Sequence, residues 1–168
     1  MTQDELKNKL KELLSLPAET EWVEFKEAKN GYDFRKLGKY FSALSNEANL
    51  KNQSCAWLVF GIEDKERKYV NTKYRPSRPE LDSLKSEIGN KTTSRITFIE
   101  IHELNLPEGR VILFQIPSAP RGIPIAWEGH FYGRDGQDLV ALNIQELEQI
   151  RSQTKDDWSS HICEGATI

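Results

Sequence analysis

The chain has 168 residues, 38% of them apolar and 29% charged, a balance that allows one domain with a buried core and excludes a disordered polyelectrolyte. Its net charge of −3 gives no general attraction to polyanions, and its most apolar run, "CAWLVFGI" from Cys55 to Ile62, is too short to cross a bilayer. Cys55 and Cys163 lie far apart and outside any Cys-x-x-Cys pair, so the sequence predicts a reduced, cytoplasmic protein with neither a membrane span nor a secretory signal.

Thr2 and Glu5 form a capping box ahead of Leu6, Leu10, Leu13 and Leu14, which predicts an opening helix that stops before Pro17 and packs on the body as an appendage. "ETEWVEFKEA" follows, with a strand expected from about Glu21 to Ala28. Period-two alternation sends Val23 and Phe25 to one face and Trp22, Glu24 and Lys26 to the other, so the second face is expected to border a site or solvent. Asp33 is placed to cap a helix with Phe34, Leu37, Phe41, Leu44 and Ala48 on one stripe. "CAWLVFGI" reads as a buried strand, and "EDK" as the tight turn after it.

Next comes the most unusual composition in the chain. "KERKYVNTKYRPSR", from Lys65 to Arg78, holds Lys65, Arg67, Lys68, Lys73, Arg75 and Arg78 against Glu66 alone, a net +5 on a remainder of −8. Such a loop is able to neutralise phosphates while Tyr69 and Tyr74 stack on bases, and it marks DNA or RNA as the expected partner. A loop of solvated cations on an acidic protein is the competing reading.

Ser77 with Glu80 predicts another capped helix bearing Leu81, Leu84 and Ile88 and ending at Gly89. "RITFIEIHEL" and "RVILFQIP" read as two strands joined around Pro107, Glu108 and Gly109. "SAPRGIPIAWEG" reads as an irregular connection, "HFYGRDG" as a short strand with a turn, and Asn143 with Glu146 as the start of a last helix. From Glu21 the order is strand, helix, strand, helix, strand, strand. Residues 1–153 are expected to form the domain, and 154–168 to begin a linker to a further region.

Several chemistries lack their residues. No Gly-x-x-x-x-Gly-Lys-Ser/Thr loop is present to cradle a nucleotide's phosphates, so ATP hydrolysis within this segment is not expected. His102, His130 and His161 share no metal-ligand spacing and read as surface or packing residues. Trp57 and Trp127 stand in apolar stretches and read as core, and Arg134 has a structural reading as the partner of a carboxylate beneath the sheet.

"ETEWVEFKEA", "YFSALSNEAN", "AWLVFGIEDK" and "FYGRDG", in this order, resemble the Schlafen AlbA-like domain family, also called the divergent AAA-type domain, over about Glu19 to Ile150. Where bacterial members carry a segment like "AFANTxGG", this chain has "ALSNEANLKNQSC". The resemblance implies an α/β (α+β) fold with an Alba-like core, here with an added N-terminal helix and a C-terminal strand and helix. It also implies the N-terminal, nucleic-acid-binding domain of a bacterial transcriptional regulator, an ATP-binding protein or a RecG-related helicase-like protein. In Schlafen nucleases it implies a metal-dependent RNA-cleaving site of three carboxylates. Those positions fall on Glu19, Glu24 and Asp64, with Glu63 beside the last and Lys26 on the same strand face as Glu24, and the ion implied is Mg²⁺ or Mn²⁺. A ribonuclease is therefore the alternative function. A protein-interaction or homodimerisation module is a second alternative, because Alba-type folds often pair.

Overall fold

The computed structural model describes residues 1–153; the expected linker at 154–168, with His161 and Cys163, lies outside the described residues. Chain order is α1 (Gln3–Leu14), β1 (Val23–Lys26), α2 (Phe34–Leu50), β2 (Cys55–Phe60), α3 (Arg78–Gly89), β3 (Glu100–Leu106), β4 (Gly109–Pro117), β5 (Ala126–Trp127), β6 (His130–Asp135), β7 (Asp138–Ala141) and α4 (Ile144–Arg151). The helix starts are where the capping residues put them. Thr2 and Asn143 close full capping boxes, and the side chains of Asp33 and Ser77 accept from the backbone N–H three residues on. Several points differ from expectation: β1 covers only the centre of the strand expected from about Glu21 to Ala28, and β5 and β7 are strands that were not expected. The strand expected from Arg95 begins at Glu100, because Thr93–Arg95 make a 3₁₀ turn in which Ser94 and Arg95 take positive φ.

The main sheet has the order β1-β2-β4-β3. β1 runs parallel to β2, joined by the α2 crossover, and β2, β4 and β3 are antiparallel. Both faces are covered. Leu6, Leu10 and Leu13 of α1 pack with Val23, Phe25, Trp57, Val59 and Leu113 on one face. On the other, Leu37, Phe41, Leu44 and Ala48 of α2 and Leu81, Leu84 and Ile88 of α3 pack with Leu58, Phe60, Ile112 and Phe114.

A second sheet, β5-β6-β7, covers the other flank of α2, so this helix lies between two sheets. Its residues reflect that position. The stripe facing the main sheet is apolar, and the flank beside it, which meets the end of β4, the connection after it and the second sheet, is small or polar: Gly38, Ser42, Ser45, Asn46 and Asn49, all buried. Gly38 leaves the space that the Trp127 indole fills, since a Cβ there would stand 2.1 Å from a ring atom. The polar side chains bind main-chain groups of the elements around them. Asn46 Nδ2 donates to the carbonyls of Ile125 (2.9 Å) and Tyr132 (2.8 Å), and its Oδ1 accepts from Ile125 N–H (2.8 Å). Ser45 donates to Pro117 O, and Asn49 donates to Ala119 O.

Asn46→Ala would leave three main-chain groups in or beside the core without this partner. We expect a loss of about 3 kcal/mol in urea unfolding, with amide exchange rising first in β5 and β6. Unchanged protection there would show that the amide does not tie the second sheet to α2.

Candidate functional site

Parallel strands present ligand-binding crevices at their carboxyl ends. Here those ends are Lys26 on β1 and Phe60 on β2, from which the chain leaves through Glu27–Asp33 and Gly61–Asp64. The turn of the β6–β7 hairpin closes the same region, with Gln137 Nε2 donating to Asp64 Oδ2 at 3.2 Å and to Ala18 O at 3.0 Å.

Glu24 does not border solvent, one of the two settings expected for its face of β1. It is 3% exposed, because the second sheet lies over the flank of α2 and brings Arg134, also 3% exposed, against β1. Arg134 Nη2 donates to Glu24 Oε1 at 3.1 Å, and Nη1 donates to Val23 O at 2.9 Å. Glu24 Oε2 receives Lys26 Nζ at 3.0 Å. The structural reading of Arg134 thus agrees with the geometry. Arg134 is itself set by Glu47, whose Oε2 accepts the Arg134 backbone N–H at 2.9 Å while Lys51 bridges Glu47 and Glu21. Gly133 permits that approach, since a Cβ there would meet Glu47 Oε2 at 2.9 Å and Leu142 at 2.4 Å. The backbone position before Arg134 and the buried Glu47 gave no signal that periodicity could detect.

The charges of this cluster act on one another. Burial alone would depress Lys26, but the Glu24 carboxylate more than offsets it and holds the ammonium above its usual range, with the Tyr40 ring 4.8 Å from Nζ. Burial and then the Glu24 charge push Asp64 upward, against the opposing pull of Arg67, Lys26 and Arg134. Burial also raises Glu47 and Tyr32. The Tyr32 hydroxyl and Arg134 Nε are buried without a hydrogen-bond partner among the described residues.

The three carboxylates that the family resemblance groups around a divalent ion, Glu19, Glu24 and Asp64, and Glu63 beside the last, have separate settings. Glu24 gives both oxygens to cations, and Glu63 accepts the N–H groups of Lys65 (2.9 Å) and Glu66 (2.6 Å), closing the turn. Glu19 is exposed in the turn before β1, and Asp64 is half-buried beside Gln137. No three carboxylate, histidine or cysteine side chains among the described residues come together to hold a metal. As they stand, these residues do not fit the ion, and ligation by Glu24 would require it to release Arg134 or Lys26.

The basic loop divides into two sets. Arg67 turns inward: its guanidinium lies 4.3 Å from the Phe25 ring centroid and donates to the Leu14 carbonyl at 3.0 Å and to Asp64 O at 3.1 Å. Arg75 makes a two-pronged pair with Glu87 at 2.7 and 3.0 Å, which draws Glu87 below its usual range. Arg78 pairs with Asp82 and Glu100. Tyr74, expected to be available for stacking, is 6% exposed and packs edge-on against Phe60. The lysines remain outside. Lys65 and Lys68 line a shallow depression of about 450 Å³ together with Lys29, Glu27, Glu63 and Glu66. Lys73 adjoins it, its N–H donating to Lys29 O at 2.7 Å. Lys68 pairs with Glu66 and Lys29 with Glu27, whereas Lys65 and Lys73 are exposed and have no ion-pair partner among the described residues.

The family model described as Schlafen, AlbA_2 matches residues 19–143. Among solved structures, the chain is similar to the DIP2311 protein from Corynebacterium diphtheriae, with TM-score 0.58 and 18% identity over 90% of this chain. It spans 29% of the length of that protein. It is also similar to the N-terminal domain of a RecG-related protein from Nitrosomonas europaea, with TM-score 0.50 and 17% identity over 78% of this chain and 88% of that one. No curated protein matches the sequence. No helix among the described residues is long and apolar enough to cross a membrane.

Two substitutions test the cluster. Arg134→Met leaves Glu24 buried with only Lys26 beside it and is expected to lower unfolding stability by about 3–5 kcal/mol, while adding Glu24→Gln recovers part of the loss. A double variant no better than the single would show that Arg134 acts through packing alone. Asp64 is disfavoured in its charged form, so the folded protein takes up its proton at a higher pH than the unfolded chain does. Wild-type stability relative to Asp64→Asn should therefore rise as pH falls from neutral through the raised value toward about 3.9, the unfolded value. Asn is expected to be the more stable at pH 7, an advantage that shrinks in acid; urea midpoints at both ends of that range decide it.

Proposed function

The chain belongs to the Schlafen AlbA_2 family, and from that premise we propose that it is a nucleic-acid-binding module of a cytoplasmic helicase-related or transcription-regulating protein. It takes the phosphate backbone of DNA or RNA on the lysine rim at the carboxyl ends of β1 and β2. The observation that carries this reading is the pair of unpartnered exposed ammoniums, Lys65 and Lys73, on a rim shared with Lys29 and Lys68. A lysine without an internal carboxylate is free to exchange its counterions for phosphates, which is the source of salt-dependent affinity. Arg67, Arg75 and Arg78 serve this interface by shaping the loop, since each is already engaged within the domain. The proposed activity is binding without cleavage, because Glu24 is held by two cations and Glu63 by its own turn.

Fluorescence anisotropy with labelled DNA and RNA over a range of salt tests the assignment. Lys65→Gln with Lys73→Gln should weaken binding and reduce the log–log salt slope by about 0.7 to 0.9 per lost phosphate contact. Arg75→Gln should lower unfolding stability and leave that slope unchanged. A slope that falls only with Arg75→Gln would move the interface away from the lysine rim. Mn²⁺-dependent cleavage of labelled RNA, abolished by Asp64→Asn, would overturn binding without cleavage.

A further inference from the structure

The loop has a second side. Ile62 and Tyr69 form an antiparallel bridge, with Glu63 N–H donating to Lys68 O at 2.8 Å and Val70 N–H to Gly61 O at 2.9 Å, so residues 68–70 are extended. Successive side chains of an extended segment point to opposite faces. Lys68 and Val70 accordingly line the rim depression, and Tyr69 lines a separate cavity of about 250 Å³ between α1 and the β3–β4 turn. Its apolar walls are Leu10, Leu106, Pro107 and the half-buried Tyr69. Lys7 and Lys11, one helical turn apart on α1, complete the lining, are exposed and have no ion-pair partner among the described residues. Glu108 stands on the β3–β4 turn and leaves the lining with one net positive charge.

We propose that this cavity is a single-nucleotide subsite of the nucleic-acid interface, in which an unpaired base lies against Tyr69 and the Leu106–Pro107 wall while Lys7 and Lys11 hold the adjoining phosphate. The proposal rests on the reading of the lysine rim as a phosphate-binding surface. It adds that the ligand is single-stranded, because a base within a duplex has no free face to offer. An aromatic ring beside unpaired ammoniums is the combination that single strands use, with stacking tolerant of sequence and cations following the backbone. One extended segment separates the two depressions, so a strand crossing it meets Lys65 and Lys68 on one side and Tyr69 on the other.

The test uses oligothymidylate and oligouridylate of about ten nucleotides, within the footprint of one small domain, and a duplex of equal length. Tyr69→Leu keeps an apolar side chain and removes the ring. It should weaken single-strand binding roughly ten-fold and leave duplex binding unchanged, whereas Tyr69→Phe binds like the wild type. Lys7→Gln with Lys11→Gln should lower the salt slope for the single strand. Ultraviolet cross-linking of the wild-type chain to an oligonucleotide carrying 5-iodouracil should label the Tyr69 peptide, which decides the matter even where Tyr69→Leu misfolds. If Tyr69 is neither labelled nor sensitive to substitution while Lys65→Gln with Lys73→Gln still weakens binding, the subsite is wrong and the rim interface stands. If neither set of substitutions affects binding, both fall.

Discussion

Glu24 sits 3% exposed on β1, where Arg134 and Lys26 each take one of its oxygens. Arg134 reaches it only because β6 is held against α2, and β6 is held there by Glu47 and Asn46 of that helix. The two sheets, the crossover helix and the buried charges are therefore one linked arrangement. A buried ion pair is a weak source of stability when compared with an apolar replacement, but it does not tolerate the loss of one member. Such a pair fixes the placement of β6 relative to β1, since a shift of one residue would turn Arg134 away and leave a charge without compensation.

The features legible in the sequence are those whose partners lie close together in it. Each helix start depends on a side chain and an N–H three residues on, and the β3–β4 turn on Pro107 and Glu108 between two apolar runs. The α/β order from β1 to β4 follows from such local signals. The face of β1 was legible as an alternation, but what covers that face comes from Arg134, 110 positions away. β7 escaped notice for a different reason: Asp138, Val140 and Ala141 are exposed and Leu139 only half-buried, so no apolar alternation marks it as a strand. The polar flank of α2 was hidden because buried serine and asparagine look like solvent-facing residues until their carbonyl partners are known.

The charge of the basic loop shows the same distinction. Counted along the chain, its arginines and lysines are equivalent. In the fold, the arginines are engaged within the domain, Arg75 two-pronged to Glu87, Arg67 over the Phe25 ring and Arg78 with Asp82 and Glu100, while the lysines stay at the rim. The planar guanidinium, with five directed donors, suits fixed partners, while the compact and strongly hydrated ammonium suits an exchangeable one. A surface contact made by lysines alone is consequently one that ions from solution compete for readily.

Asn46 has a consequence for the order of events during synthesis. α2 is complete at Leu50, yet the groups that this amide binds lie 79 and 86 residues beyond Asn46. Contacts so distant form late, and a helix leaving the ribosome presents its uncovered flank to water until they do. Because that flank carries serine, asparagine and glutamate, the incomplete chain offers other chains a wetted surface during the interval in which an apolar one would associate. The residues that close the finished fold thus also keep this flank wetted in the incomplete chain.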